Sequence, residues 1–371
     1  MLRRSRRYLL FLFAILALGY FSHKFRNAIA LEGFQWGTML ESLHHANAWL
    51  LALSIALIYV CFAIRALRWM RFSHTLGRTH FGNVYAATLM GFTCTFLLGR
   101  AGEPVRPVLI ARKDSISIPG MFGVYVLERV FDMAATIVLA GFSLLFFERS
   151  GIAGGANSPV LRVARSAGVV LLAGFIVAAG FLIYFRHHGA SWLARRLQHE
   201  SWRTGWRKKI AVLLEGFSDG LQGIRTWSDL GALAGYTALH WLLVICVYFW
   251  VAHAFGEGLA GLSFAGAALV LAFTMVGSAA QLPGIGGGAQ VATFLALTLI
   301  FGIEREPAAV AAIVVWLVSF ASCSLAGLPL LVREGWSMGD LRRMVKAEEA
   351  AGETALLAEA ANARASGGTT Q

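Results

Sequence analysis

Three ionisable residues, Glu128, Arg129 and Asp132, lie inside an apolar run that covers residues 118–147. Glu128 is ten residues into this run, and at about 1.5 Å per residue a helix would place it roughly 15 Å deep, near the middle of a hydrocarbon layer. An Asp or Arg at that depth costs about 2.5–3.5 kcal/mol, so such groups usually face a bundle interior and serve a function. Glu128 and Asp132 share one helix face, and Arg129 can neutralise Asp132. The triplet predicts either a binding site within the membrane or an ion-pair lock between helices.

A second charged set occurs in the stretch GRAGEPVR, where Arg100, Glu103 and Arg106 follow one another at three-residue spacing. Paired guanidinium groups can hold an anionic phosphate through parallel hydrogen bonds. The alternative is a set of ordinary arginines at the cytoplasmic interface. We expect the phosphate to be held by Arg100, Arg106 and Arg129. The groups expected to balance these charges and exchange protons are Glu103, Glu128 and Asp132.

The stretch PGIGGG, residues 283–288, is a glycine-rich helix breaker within another apolar region. It lacks the Gly-Lys-Ser/Thr ending of a P-loop and follows no predicted strand, which argues against nucleotide binding. Its backbone amides can instead approach an anionic head group at a helix start. The candidate residues are Pro283, Gly284, Gly286 and Gly287. Close helix packing through small residues explains the stretch equally simply.

Composition indicates an all-α polytopic membrane protein. Hydrophobic residues make up 57% of the chain and charged residues 14%, several apolar runs approach the ~20 residues that span a bilayer, and no alternating strand pattern suggests a barrel. The formal charge of +12 comes from Lys and Arg at the ends of apolar runs, which argues against a nucleic-acid partner. Apolar runs cover residues 8–22, 46–64, 83–99, 118–147, 166–185, 231–253, 260–282, 289–301 and 307–332.

The sequence contains no recognisable catalytic set, so we expect no enzyme activity, cofactor or metal. It has no metal-binding His/Glu pair, no Asp-rich diphosphate motif and no nucleophile elbow. His240 could join a proton path, although a lone core histidine is the simpler interpretation. The cysteines fall in apolar stretches without metal-like spacing and are expected to be buried thiols: Cys61, Cys94, Cys246 and Cys323.

The distribution of positive charge predicts the path through the membrane. Cytoplasmic positions are expected for the N-terminus, for residues 65–80 with Arg65, Arg68, Arg71 and Arg78, and for residues 186–209. Outer positions are expected for residues 148–159, 253–262 and 302–306. Residues 83–113 and 260–302 must then form re-entrant hairpins that enter from opposite sides. If residues 260–282 span fully and 289–301 return, the count changes while the termini stay inside.

The predicted fold therefore has about six full spans, two opposed re-entrant hairpins and an inverted repeat. Its halves cover residues 46–147 and 231–332 of a membrane domain that covers residues 1–332, and transporters with such repeats bind substrate near the midplane. Residues 8–22 favour a retained signal anchor over a cleaved signal peptide. Residues 186–229 predict either a cytoplasmic amphipathic elbow that binds anionic lipid or a solvated connector. Residues 333–371 are expected to form a largely disordered cytoplasmic tail.

Three motifs in order, LLGRAGEPVR, ERVFDM and LPGIGGG, resemble the lysylphosphatidylglycerol synthase transmembrane family, also called flippase-like membrane proteins. The resemblance covers residues 46–332 and implies a bacterial or archaeal cytoplasmic-membrane protein that moves or handles a lipid with a polar head group. Synthase activity is not expected, because in larger members it resides in a cytosolic aminoacyl-transferase domain. Two positions depart from the family pattern: Gly99 replaces a usual proline and Gln290 replaces a common acid.

These observations lead to one principal hypothesis and two alternatives. The principal hypothesis is translocation of a membrane phospholipid or polyprenyl-linked lipid with an anionic head group. The first alternative is a membrane-embedded enzyme that modifies lipid head groups with the same carboxylates as acid and base. The second is a non-transporting partner of a cytosolic or membrane lipid synthase.

Overall fold

The computed structural model is helical throughout the part of the chain that it describes, which is residues 36–149, 223–224, 226–256, 258–278 and 287–335 with seven positions between 169 and 184. The helices are α1 (Trp36–His45), α2 (Ala48–Ser73), α3 (Phe81–Leu98), α4 (Val105–Lys113), α5 (Ile118–Arg149), α6 (Trp227–Ala254), α7 (Phe264–Gly277), α8 (Gly288–Leu299), α9 (Arg305–Trp316) and α10 (Ser322–Arg333). A 3₁₀ turn, Gly99–Gly102, connects α3 with α4, and a π-helical segment, Leu317–Ala321, connects α9 with α10.

The described helices include four that are long and apolar enough to cross a membrane. They are Ala48–Ser73, Phe81–Gly102, Trp227–Ala254 and Arg305–Arg333. Helix α5 has 32 residues and at about 1.5 Å per residue is also long enough, whereas α7 and α8 are shorter apolar helices. The prediction of an all-helical, multi-pass membrane protein is thus confirmed. The number of spans, the re-entrant hairpins and the inverted repeat stay predictions.

The helices α2 and α6 pack against each other in antiparallel orientation. At one end the backbone N–H of Asn47 donates to the carbonyl of Ala254 at 2.7 Å, and at the other Arg71 donates to Asp229 at 2.6 Å. Both helices begin at a side-chain cap, because the Asn47 carboxamide accepts from the first turn of α2 and Thr226 forms a capping box with Asp229 at the start of α6. Such caps satisfy backbone donors that a helix start leaves unpaired.

Two helical hairpins, α3 with α4 and α7 with α8, are closed by small residues. A side chain at Gly102 would collide with the carbonyl of Cys94, and one at Gly277 would collide with the backbone of Gly288. Only glycine therefore allows the turn after α3 to approach α3, and α7 to approach the start of α8, so closely. The link between α7 and α8 includes residues 279–286, which lie outside the described residues.

The two predicted halves pack on each other reciprocally. Helix α5 contacts α7, and α3 contacts α10, where the Thr93 hydroxyl donates to the carbonyl of Ser324 at 2.5 Å. One apolar core lies among α6–α9 and the middle of α2, and a second lies among α3–α5 and the end of α2.

The predicted helices match the structure to within a few residues, with one larger difference. The helix predicted at residues 46–64 continues to Ser73, so its predicted end was nine residues too early and Arg65 and Arg68 lie inside α2. The cytoplasmic position of residues 65–80 stays a prediction. The described residues do not include the predicted segment 8–22, nearly all of 166–185, the elbow up to residue 222, or the tail beyond residue 335.

Candidate functional site

Glu128 lies at the centre of a buried group of arginines. Its carboxylate accepts a hydrogen bond from Arg65 Nε at 2.7 Å, from Arg68 at 3.0 Å and from Arg129 at 3.1 Å. Arg106 donates to the same carboxylate, which is fully buried. The arginines come from α2, α4 and α5, so the group joins three helices. Both carboxylate oxygens of Glu128 are occupied by guanidinium donors.

Asp132, one helical turn after Glu128, shares three of these arginines. It pairs with Arg68 at 2.9 Å, with Arg129 at 3.2 Å and with Arg65 at 3.5 Å. Arg68 also donates to the hydroxyl of Thr237 on α6 at 3.1 Å. The charged group thereby extends to a fourth helix, and the four-residue spacing of the two carboxylates places both on the face of α5 that meets α2.

Aromatic rings hold two of the buried guanidinium groups in position. The Arg106 guanidinium carbon lies 4.2 Å from the ring centre of Trp69, and that of Arg65 lies 5.4 Å from the ring centre of Phe92. An aromatic face attracts a cation, and the attraction strengthens when water is excluded. The rings therefore help to keep these cations in a buried location.

The tip of the first hairpin carries a second, more exposed ion pair. Arg100 donates to Glu103 at 2.5 Å, and the Tyr125 hydroxyl donates to the other oxygen of Glu103 at 2.6 Å. Arg100 also donates to the backbone carbonyl of Ser278, just after the end of α7. The Arg129 guanidinium lies 5.3 Å from the ring centre of Tyr125. This contact places the ion pair next to the buried group.

We call these eight residues the arginine–carboxylate cluster. Its members are Arg65, Arg68, Arg100, Glu103, Arg106, Glu128, Arg129 and Asp132. A cavity of about 480 Å³ adjoins the cluster. The two arginines of the cluster that are most accessible both line this cavity: 34% of the Arg129 side chain and 41% of the Arg100 side chain are exposed.

The remaining wall of the cavity is largely apolar. It includes Phe92, Met133, Val276, Trp316 and Phe320. The start of α8 contributes Ala289 and Gln290, and His240 and Trp241 of α6 complete another side. The cavity thus places an apolar surface beside arginines, a combination that suits an amphiphile with an anionic head group.

The structure brings together all six charged residues that the sequence singled out. The roles expected of the arginines change, however. Arg106 has only 6% of its side chain exposed and pairs with Glu128, so Arg100 and Arg129 are the accessible candidates for binding a phosphate. Of the glycine-rich stretch, Gly287 is described and caps α8 with φ 72°. The other three candidates, Pro283, Gly284 and Gly286, lie outside the described residues.

Sequence reasoning did not include Arg65 and Arg68 in the site, because both were interpreted as topology signals in a cytoplasmic stretch at residues 65–80. Their three-residue spacing and the apolar residues between them were the available signal, because both features continue the pattern of a helix. His240 is buried, and its Nδ1 donates to the carbonyl of Cys61 at 3.1 Å. Cys61, Cys94 and Cys323 are buried free thiols, whereas Cys246 is partly exposed.

A metal centre has no candidate ligands within the described part of the chain, where no group of three His, Cys, Asp or Glu side chains could hold an ion. A sequence model described as the lysylphosphatidylglycerol synthase TM region matches residues 8–327. No curated protein and no solved structure matches the chain significantly. The matched region contains every member of the arginine–carboxylate cluster.

Proposed function

The chain belongs to the lysylphosphatidylglycerol synthase transmembrane family, and on that basis we propose that it translocates a lipid with an anionic polar head group across the cytoplasmic membrane. Membership in the family indicates a membrane protein with a lipid-related function. The observation that supports translocation in particular is the cavity of about 480 Å³, where accessible arginines lie beside an apolar wall.

The head group would bind at Arg129 and Arg100, whose guanidinium groups are the most accessible in the cluster. Arginine presents several donors in a planar fork that fits a phosphate. Arg65, Arg68 and Arg106 would orient the site from behind, because Glu128 and Asp132 hold them in buried ion pairs. The apolar wall would accept the part of the lipid nearest the head group.

Alternating access would follow from movement of the two hairpins, which contact each other beside the cavity where the turn after α3 meets the end of α7. Arg100 makes this contact with the carbonyl of Ser278. An inverted repeat places such broken segments at the midplane, and rocking one half against the other exposes the site to each side in turn. Separation of the turn after α3 from the end of α7 would open the cavity on one side.

The alternative of a head-group-modifying enzyme is less well supported by the site. A general acid or base needs a carboxyl group that can reach the proton it transfers. Both oxygens of Glu128 accept hydrogen bonds from arginines, and Asp132 is held by three arginines. Binding and charge balance fit these carboxylates better than proton transfer does.

Localisation and partners belong to the same proposal. The chain would be a multi-pass protein of the cytoplasmic membrane with both termini in the cytoplasm, where the basic stretch at residues 186–209 can contact anionic lipid. A cytosolic or membrane lipid synthase would supply or use the transported lipid.

The test is a leaflet-exposure assay in proteoliposomes that contain the full chain and head-group-labelled anionic phospholipid. Transfer to the other leaflet, with the lipid recovered chemically intact, is the expected result. Chemical change of the head group without transfer would support the enzyme instead. If neither transfer nor chemical change occurs under any ion gradient, a non-transporting partner of a lipid synthase is the better explanation.

A further inference from the structure

The arginine–carboxylate cluster contains more positive than negative side chains. It has five arginines and three carboxylates, and Arg100 and Glu103 form a pair of their own. Four arginines then share only Glu128 and Asp132. Counting the arginine and carboxylate side chains of the cluster, two positive charges have no carboxylate counterpart.

An excess of charge is unfavourable in this location. Arg68 is fully buried, and Arg65 and Arg106 are nearly so. Repulsion between like charges is strong where water is excluded, and buried cations require compensation by charge and hydrogen bonds. A ligand that carries negative charge into the cavity would relieve the repulsion.

Donors beside the cavity also await a partner. Among the described residues, Arg129 Nε and the indole N–H of Trp241 are buried and have no hydrogen-bond acceptor. Both side chains line the cavity. Buried donors are rarely left without an acceptor. These two side chains at the cavity wall therefore keep unused hydrogen-bonding capacity, and the excess of positive charge remains the main reason to expect an anionic ligand.

We propose that the preferred head group carries two or more negative charges, as a terminal phosphate monoester or a diphosphate does, in preference to a phosphodiester. The proposal rests on the proposed translocation of an anionic lipid and narrows its substrate class. A phosphate monoester carries about 1.5 to 2 negative charges at pH 7 and has three strong acceptor oxygens. A phosphodiester such as phosphatidylglycerol carries a single charge and would leave one positive charge unmatched.

The experiment measures equilibrium binding to the purified full chain in detergent at pH 8. The probes are dioleoyl phosphatidic acid, dioleoyl phosphatidylglycerol and dioleoyl phosphatidylcholine, which share their acyl chains and differ in head-group charge. We expect phosphatidic acid to bind at least about tenfold more tightly than phosphatidylglycerol, and phosphatidylcholine to bind most weakly. Equal affinities for the first two lipids would overturn the proposal.

A charge variant tests the cause of the preference. Gln290 lines the cavity, and Gln290→Glu adds one negative charge with almost no change in shape. The preference for phosphatidic acid should fall strongly in this variant and persist in the neutral control Gln290→Met. If Gln290→Glu does not fold, Arg129→Gln removes one positive charge and should have the same effect. An unchanged preference in a folded charge variant would contradict the proposal.

Binding of a polyprenyl phosphate is measured last. It shows which class of lipid carries the preferred phosphate monoester. Tighter binding of the polyprenyl lipid than of phosphatidic acid would identify an isoprenoid carrier, and the reverse would identify a diacyl lipid. Binding does not depend on transport, so the two proposals can fail separately. Transfer without a preference for two charges would reject the substrate class, whereas the preference without transfer would reject translocation.

Discussion

Arg100, in the turn that ends α3, donates a hydrogen bond to the backbone carbonyl of Ser278, just after the end of α7. The same guanidinium pairs with Glu103 at 2.5 Å, so one side chain connects the turn after α3 with the end of α7 at the edge of the cavity. A phosphate bound to Arg100 would compete with both contacts. Ligand binding and separation of this turn from α7 are therefore expected to be coupled.

Replacing Arg100 should loosen the contact between the turn after α3 and the end of α7. In Arg100→Gln, amide hydrogen exchange should become several-fold faster over residues 99–105 and 275–278, because the bond to Ser278 and the pair with Glu103 are both weakened. Glu103→Gln is the matched control, since it leaves the bond from Arg100 to Ser278 in place. Unchanged exchange in Arg100→Gln would show that this side chain does not hold the turn after α3 against α7.

Removing the charge of Glu128 should destabilise the protein severely. Glu128→Gln leaves four arginines with Asp132 alone, and breaking a buried ion pair from one side costs about 3–5 kcal/mol. Thermal denaturation in detergent should therefore show a large fall in melting temperature. Glu304→Gln is the control, because Glu304 is exposed at the start of α9 and makes no side-chain capping bond. Similar melting temperatures for the two variants would contradict the central place of Glu128.

Gly327 should tolerate no side chain, because α3 and α10 approach each other closely there. A Cβ atom at Gly327 would collide with the Leu89 carbonyl and the Thr93 hydroxyl. Gly327→Ala should lower the melting temperature. A Cβ at Gly235 on α6 would meet no atom within 4 Å, so Gly235→Ala should be neutral or stabilise by about 0.5–1 kcal/mol. If Gly327→Ala leaves the melting temperature unchanged, α3 and α10 can move apart there without a loss of stability.

Filling the apolar side of the cavity should block transfer without touching the charges. Ser319 lines the cavity and is only partly buried, so Ser319→Trp can place its ring in the cavity while the protein still folds. Leu325→Trp is the control, because Leu325 is 47% exposed on α10. Lipid transfer in proteoliposomes should be lost in the first variant and kept in the second. Normal transfer by folded Ser319→Trp would exclude this cavity as the route.

The helical architecture could be predicted because long apolar runs leave few alternatives in a membrane. The charged residues of α5 could be predicted as a site for the same reason, since charge at membrane depth is costly. The spacing of Arg65 and Arg68 fits a continuing helix, but their burial could not be predicted, because only contact with Glu128 and Asp132 shows it. Positive charge near a helix end has the same appearance in sequence whether it faces the cytoplasm or a partner inside the bundle.

The turn after α3 gives a further example. Gly99 adopts φ 67°, a conformation closed to the proline expected there from the family resemblance, since proline is restricted to about −65°. The sequence showed the departure but not the backbone geometry that goes with it. The contact between Arg100 and Ser278 likewise depends on tertiary packing and leaves no local pattern.

The most direct test of translocation at the arginine–carboxylate cluster compares lipid transfer by wild type, Arg129→Gln and Arg71→Gln in proteoliposomes. Arg71 also pairs with a buried carboxylate, Asp229, but does not line the cavity. Arg129→Gln should slow transfer at least about tenfold, as expected for the loss of a charge-assisted hydrogen bond to the substrate, while Arg71→Gln stays close to wild type. Equal transfer by wild type and folded Arg129→Gln would contradict the assignment of the cavity as the substrate site.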